Sequence, residues 1–136
     1  MKKALVLSED GASLQEVDLA NNFITLAEPM ATFTAFKIGD LGKAYIVTAD
    51  DLTIPIIDGI TLESGGIDSI VQYACVRNNI YHTIFDFTEA KFYWLTSTGV
   101  ISTVRPTNTR YQVLVGRCLP NSSNFIFDPQ LPIKLL

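Results

Sequence analysis

Apolar and polar positions alternate in short runs broken at close intervals by Gly, Pro, Asn and Asp, and no segment keeps a helical period beyond two turns. The N-terminal section reads "KALVLS", the turn "EDGA", "LQEVDL", a break at Asn21-Asn22 and "FITLA", closed by Pro29. From "MATFTAFKIG" onward the β-prone runs crowd together: "AYIVT", "LTIPII", "ITLES", "IDSIVQYACV" and "IYHTIF". Asp58-Gly59 predicts a tight type I′ hairpin, and Asn78-Asn79 a second one, because these residues tolerate positive φ. A third hairpin joins "KFYWLT" to "VISTV" through Ser97-Thr98-Gly99, with Gly99 placed to take the left-handed conformation. Pro55 has no backbone donor, which assigns its strand to an edge or a bulge.

This pattern predicts an all-β fold, a compact antiparallel β-barrel or sandwich with an extended N-terminal arm. We read residues 1–136 as one β domain, with the arm at 1–34 and the β body at 35–136. No repeat of fixed period interrupts it. The last section holds one strand in "TRYQVLVGRCL", a turn at "PNSSN", and "FIFDPQLPIKLL", whose apolar terminus is expected to dock, closing a barrel or adding to a neighbouring subunit. In the strand "KFYWL", Phe92 and Trp94 share one face, and Tyr93 and Leu95 the other. Both faces are apolar, as expected of a central strand, of one that meets another subunit, or of a ligand platform.

Composition sharpens the picture. Apolar residues make up 48% of the 136 and charged residues only 18%, and the mean hydropathy is +0.26. No apolar run approaches the roughly 20 residues of a membrane span, so no membrane partner is expected. The run "ALVL" after Met1-Lys2-Lys3 is shorter than a signal-peptide core, which predicts synthesis into the cytoplasm. The surplus apolar surface points to burial against other chains in an oligomer. A net charge of −4 with scattered Lys and Arg offers no footprint for phosphate backbones, so no nucleic-acid partner is expected. Cys75 and Cys118 lie in apolar strand contexts without C-x-x-C spacing and read as reduced thiols.

Candidate chemistry is sparse. His82 is the one histidine, which excludes sites built on several imidazoles, and no G-x-S-x-G elbow accompanies it. The acids Asp50, Asp51, Asp58, Glu63, Asp68, Asp86, Glu89 and Asp128 sit in or beside predicted turns, where carboxylates cap the backbone. No spacing singles out a catalytic pair, and a calcium site on Asp50 and Asp51 has no loop motif behind it. "IGDLGK" lacks the phosphate-loop spacing and reads as a turn. These residues predict neither a cofactor nor an enzyme. A carbohydrate-binding module stacking sugar on Tyr81, Tyr93, Trp94 or Tyr111 is a further alternative.

The order of "GKAYIVTADDLTIPIIDGITLES" (42–64), "KFYWLTSTGVISTVRP" (91–106), "YQVLVGRCL" (111–119) and "FIFDPQLPIKLL" (125–136) resembles small tailed-phage virion proteins, namely capsid decoration (cement) proteins and the head-binding or tail-appendage modules of fibres. Cys118 departs from the small residue expected there. The resemblance implies a non-enzymatic virion protein on the capsid surface, trimeric as a homo-oligomer, whose partner is the major capsid protein. A tail or baseplate adaptor, or the head-binding module of a fibre, is the alternative, and a chain this short is expected to serve in decoration, since an adaptor must also hold a second partner. On this reading the contact candidates are Leu5, Leu7, Leu14 and Val17 of the arm, Tyr93 and Trp94 of the core hairpin, and Leu135 and Leu136 at the end. The arm would add backbone hydrogen bonds to a capsid strand edge.

Overall fold

The computed structural model describes residues 3–7, 14–18, 22–76, 79–80, 91–118 and 125–135, the first two segments and 79–80 as backbone. In chain order the strands are β1 (Lys3–Leu7), β2 (Leu14–Asp18), β3 (Phe23–Thr25), β4 (Ala35–Ile38), β5 (Ala44–Ile46), β6 (Gly59–Thr61) and β7 (Ile70–Cys75). They continue with β8 (Asn79–Ile80), β9 (Lys91–Leu95), β10 (Ile101–Ser102), β11 (Tyr111–Gln112), β12 (Leu114–Cys118), β13 (Phe125–Phe127) and β14 (Ile133–Lys134). A 3₁₀ turn at Asp40–Gly42 is the only helical element among the described residues, and it fills "IGDLGK" as a turn.

The all-β expectation is met by two five-stranded antiparallel sheets, β3-β7-β6-β4-β5 and β10-β9-β12-β13-β8. They share one core, to which β4, β6 and β7 contribute Ala35, Ile60 and Ala74, while β9, β12 and β13 contribute Tyr93, Leu95, Val115, Phe125 and Phe127. The arrangement is sandwich-like, and the described strands do not close into a barrel. On its other face the first sheet buries a second cluster of Ile24, Leu26, Met30, Phe36, Ala44 and Val71. Burial on both faces explains why its strands, such as "AFKI" and "IVQYAC", do not alternate cleanly.

Each sheet carries a glycine in its central strand, overlaid by an edge-to-face aromatic pair from the neighbouring strands. In β6, a Cβ on Gly59 would meet Phe36 Cζ at 2.7 Å and Tyr73 Cδ2 at 2.9 Å. Those two rings stand 5.3 Å apart at 77°. In β12, a Cβ on Gly116 would collide with the Ile126 carbonyl oxygen and meet Phe125 Cζ at 2.5 Å. Phe125 stands 5.2 Å from Tyr93 at 81°. The absent side chain is what lets these rings cover the backbone, and each such pair adds roughly 0.5–1.5 kcal/mol beyond its burial. Burial raises the Tyr73 hydroxyl above its ordinary pKa, with neighbouring Cys75 contributing in the same direction.

Three expectations need correction. Gly59 begins a strand instead of closing a type I′ turn, and Asp58 ties that strand to β4: its N–H donates to Phe36 O at 2.8 Å and its carboxylate accepts from Ile38 N at 2.8 Å. Asn78-Asn79 does not join a hairpin, since β7 pairs with β3 and β6 whereas β8 pairs with β13 in the other sheet. "LTIPII" forms no strand; Pro55 removes a ladder donor, and the segment runs irregularly with Ile57 turned into the core.

The arm boundary also moves. Residues 23–34 belong to the body, with β3 paired to β7 and Leu26, Met30 and Phe33 in the two cores, because this segment covers the outer face of the first sheet. β1 and β2 pair with each other along all five positions, in a two-stranded sheet of their own. Near the C-terminus, "TRYQVLVGRCL" divides at Val113: β11 pairs with β14, while β12 joins the second sheet with a bulge between Leu114 and Gly116. The turn at "PNSSN" lies outside the described residues.

The third predicted hairpin forms as expected, with β9 and β10 antiparallel and Gly99 at φ +92°. Its loop also joins the sheets. Gly99 O accepts from Ala35 N at 2.8 Å, Ile101 N donates to Phe33 O at 3.1 Å, and Ala49 N donates to Thr96 O at 2.9 Å. Beside this seam Phe33 takes φ +60°, an uncommon conformation for a bulky residue. A buried knot holds it there: Thr34 and Thr61 hydroxyls both donate to Ala31 O at 2.8 Å, and Thr61 Oγ1 accepts from Thr34 N at 3.0 Å.

Two substitutions and one control test these constraints. Gly116→Ala is expected to lower unfolding stability by about 1–3 kcal/mol or more in a denaturant titration, whereas Gly66→Ala, whose Cβ meets nothing nearer than 3.9 Å, stays within about 0.5 kcal/mol. Thr61→Val keeps the shape but strands the Thr34 N–H, and is expected to cost about 1–3 kcal/mol by the same measurement.

Candidate binding surfaces

The described carboxylates are largely committed to the backbone. Glu28 accepts from Ile46 N at 3.0 Å, Asp50 from Arg110 N at 3.0 Å, and Glu63 from Gln72 N at 2.9 Å. Asp51 holds both the N–H and the hydroxyl of Thr48, at 3.1 and 2.8 Å. Asp50 and Asp51 therefore face different partners, and no group of three potential metal ligands occurs among the described residues. Asp68 pairs with Lys43 at 2.9 Å, and this hydrogen bond raises the lysine pKa. His82, Asp86 and Glu89 lie outside the described residues. Cys75 and Cys118 are not joined in a disulfide, and Cys118 is buried.

The second sheet presents a mixed aromatic and cationic outer face. Strand alternation turns Tyr93 and Leu95 of β9 into the core and leaves Phe92 half exposed, at 50%. Trp94 is partly buried between its cross-strand neighbours Ser102 of β10 and Leu114 of β12. After β10 the chain turns so that the Arg105 guanidinium lies 5.4 Å from the centre of the Trp94 ring, within cation–π range. Arg117 stands opposite Phe92 in the ladder and so shares its face. Lys91, Phe92, Trp94 and Thr103 line a shallow hollow of about 380 Å³.

Several contact candidates are relocated by this geometry. Tyr93 is a core residue, packed on Phe125, and is unavailable to a partner; Tyr111 is likewise buried. Trp94 remains on the surface, and Phe92, which is not among the expected contacts, joins it there. Alternation alone had put the two on one face, but with both faces apolar it gave no sign of which faced out. Leu135 is 37% exposed on the chain leaving β14, whereas Leu136 and Tyr81 lie outside the described residues. Leu5 and Leu7 fall on β1 and Leu14 and Val17 on β2, which the structure describes as backbone.

A second surface is apolar. Ile56, Ile57, Val76, Val113, Leu131 and Pro132, interrupted by Asp128 and Gln130, line a groove of about 370 Å³ between the irregular 52–58 segment and the chain that follows β13. Its rim is unusually greasy: Ile56 is 56% exposed and Leu131 86%, and Ile54 and Ile133 beside them are each 60% exposed. Large exposed apolar side chains grouped in this way mark contact surfaces.

Comparison with known protein families, with curated proteins and with solved structures finds no match to this chain.

Trp94 is the single tryptophan, so fluorescence reports the outer face directly. Arg105→Ala is expected to make Trp94 more accessible to acrylamide quenching while changing stability by less than about 1 kcal/mol. Unchanged quenching would mean that the guanidinium does not cover the indole in solution.

Proposed function

We propose that this chain is a non-enzymatic structural protein of tailed-phage particles, a capsid decoration protein that attaches to the major capsid protein as a homo-oligomer, trimeric by resemblance. The observation that carries the reading is the exposed apolar groove around Ile54, Ile56, Leu131 and Ile133, which a lone chain leaves in water. The order of strands and turns along residues 42–136, an all-β body and carboxylates committed to backbone capping support it.

Attachment would work by many weak contacts. Burying four large aliphatic side chains contributes several kcal/mol per copy, at roughly 1.5–3 kcal/mol each, against which ordering and lost rotational freedom are set. Repetition over a lattice turns a modest per-copy affinity into firm binding. The β1–β2 ribbon adds outer strand edges that a capsid strand can extend, the role expected of the arm. A tail or baseplate adaptor, or a fibre's head-binding module, uses the same surfaces at few copies per particle.

Quantitative mass spectrometry of purified particles is expected to find this polypeptide at a copy number of the same order as the major capsid protein. The double variant Ile56→Asp with Leu131→Asp is expected to fold, by circular dichroism, and to lose attachment to stripped particles. A copy number at least about tenfold lower moves the protein to the tail or a fibre, and absence from particles overturns the virion reading.

A further inference from the structure

From the outer face of the second sheet we infer a binding site for acidic carbohydrate, a pyranose carrying a carboxylate or sulfate group, centred on Phe92 and Arg105. The inference stands apart from the capsid reading, because it uses a different surface and different chemistry.

Phe92 supplies an open ring. It is half exposed on the strand, and an aromatic face of this kind accepts the C–H face of a sugar ring. Trp94, two residues on and about 6.5–7 Å away along the strand, serves differently: its ring carries the Arg105 guanidinium at 5.4 Å. A guanidinium stacked on an indole gives up part of its freedom before any ligand arrives, so its planar donors are already positioned for an anion. Arg117 opposite Phe92 adds positive charge on the same side, and Thr103 contributes a hydroxyl.

Charge decides the class of ligand. The chain carries ten Lys and Arg against fourteen Asp and Glu, yet Arg105 and Arg117 both sit beside two aromatic rings, and among the described residues no carboxylate lines the hollow. A neutral sugar needs the rings but not the cations. A single-stranded nucleic acid needs a positive groove that follows its backbone, which two arginines in a protein of net charge −4 do not provide. Ring stacking combined with a held guanidinium suits one or two acidic sugar units.

The test follows Trp94 emission in the full chain during titration with a galacturonic acid hexamer, a heparin hexasaccharide, a neutral maltohexaose and an oligo-dT of similar length. A saturable change with either acidic oligosaccharide is expected, weakened by salt and at least about tenfold tighter than with maltohexaose. The uronate and heparin arms distinguish carboxylate from sulfate as the recognised group. Phe92→Ala and Arg105→Gln are each expected to weaken binding about tenfold or more, and Arg117→Gln by less, with thermal midpoints close to the parent's. Equal binding of maltohexaose, no response to either acidic sugar at millimolar concentration, or tighter binding of oligo-dT would overturn the assignment. So would full binding by the folded Arg105→Gln protein.

Discussion

The two sheets depend on one packing arrangement used twice: a glycine in the central strand, left bare so that an edge-to-face pair of aromatic rings can lie over the backbone. Gly59 under Phe36 and Tyr73 fixes the first sheet, and Gly116 under Phe125 and Tyr93 fixes the second. Each pair brings together rings from the two strands that flank the glycine, so register and packing are set by the same contacts. Shifting any of these strands by one residue would send its ring to the opposite face. Phe125 and Phe127 are fully buried, and so is Phe36, which places much of the apolar burial beside these glycines.

How far the sequence reveals this depends on whether the cause is local. The hairpin at Ser97-Thr98-Gly99 was legible, because a tight turn needs a left-handed residue and little else, and Gly99 provides it. Asp58-Gly59 carried the same signal for a different reason: its glycine is required by rings on β4 and β7, which nothing in the dipeptide reveals. Asn78-Asn79 likewise looked like a turn while the chain was crossing between sheets. The candidate site divides in the same way. Alternation grouped Phe92 with Trp94, but the cation above the indole depends on the path of the chain beyond Ser102, and Arg105 was not identifiable beforehand.

The acidic composition also has a structural use. Glu28, Asp50, Asp51 and Asp58 each accept a backbone N–H from a loop or strand end, and Glu63 accepts one from within β7, donors that a β fold with short strands leaves unmatched. Charged hydrogen bonds of this kind are stronger than neutral ones, and they pin irregular segments such as 48–58 that have no ladder of their own. The net charge of −4 is thus partly a by-product of holding loops, and the cations on the outer face of the second sheet stand out against it.

The seam between the β9–β10 loop and residues 33–35 bears on the order in which the chain can be completed. As it leaves the ribosome, the first sheet can assemble from β3 to β7, but Ala35 N–H and Phe33 C=O find their partners only when Gly99 and Ile101 have emerged. Until then Phe33 lacks one of the contacts that hold its left-handed backbone, and the corner of the first sheet stays unsealed. A nascent chain stalled before residue 99 would therefore present unpaired backbone groups at this corner, and its inner apolar face would stay open until β12 and β13 had followed.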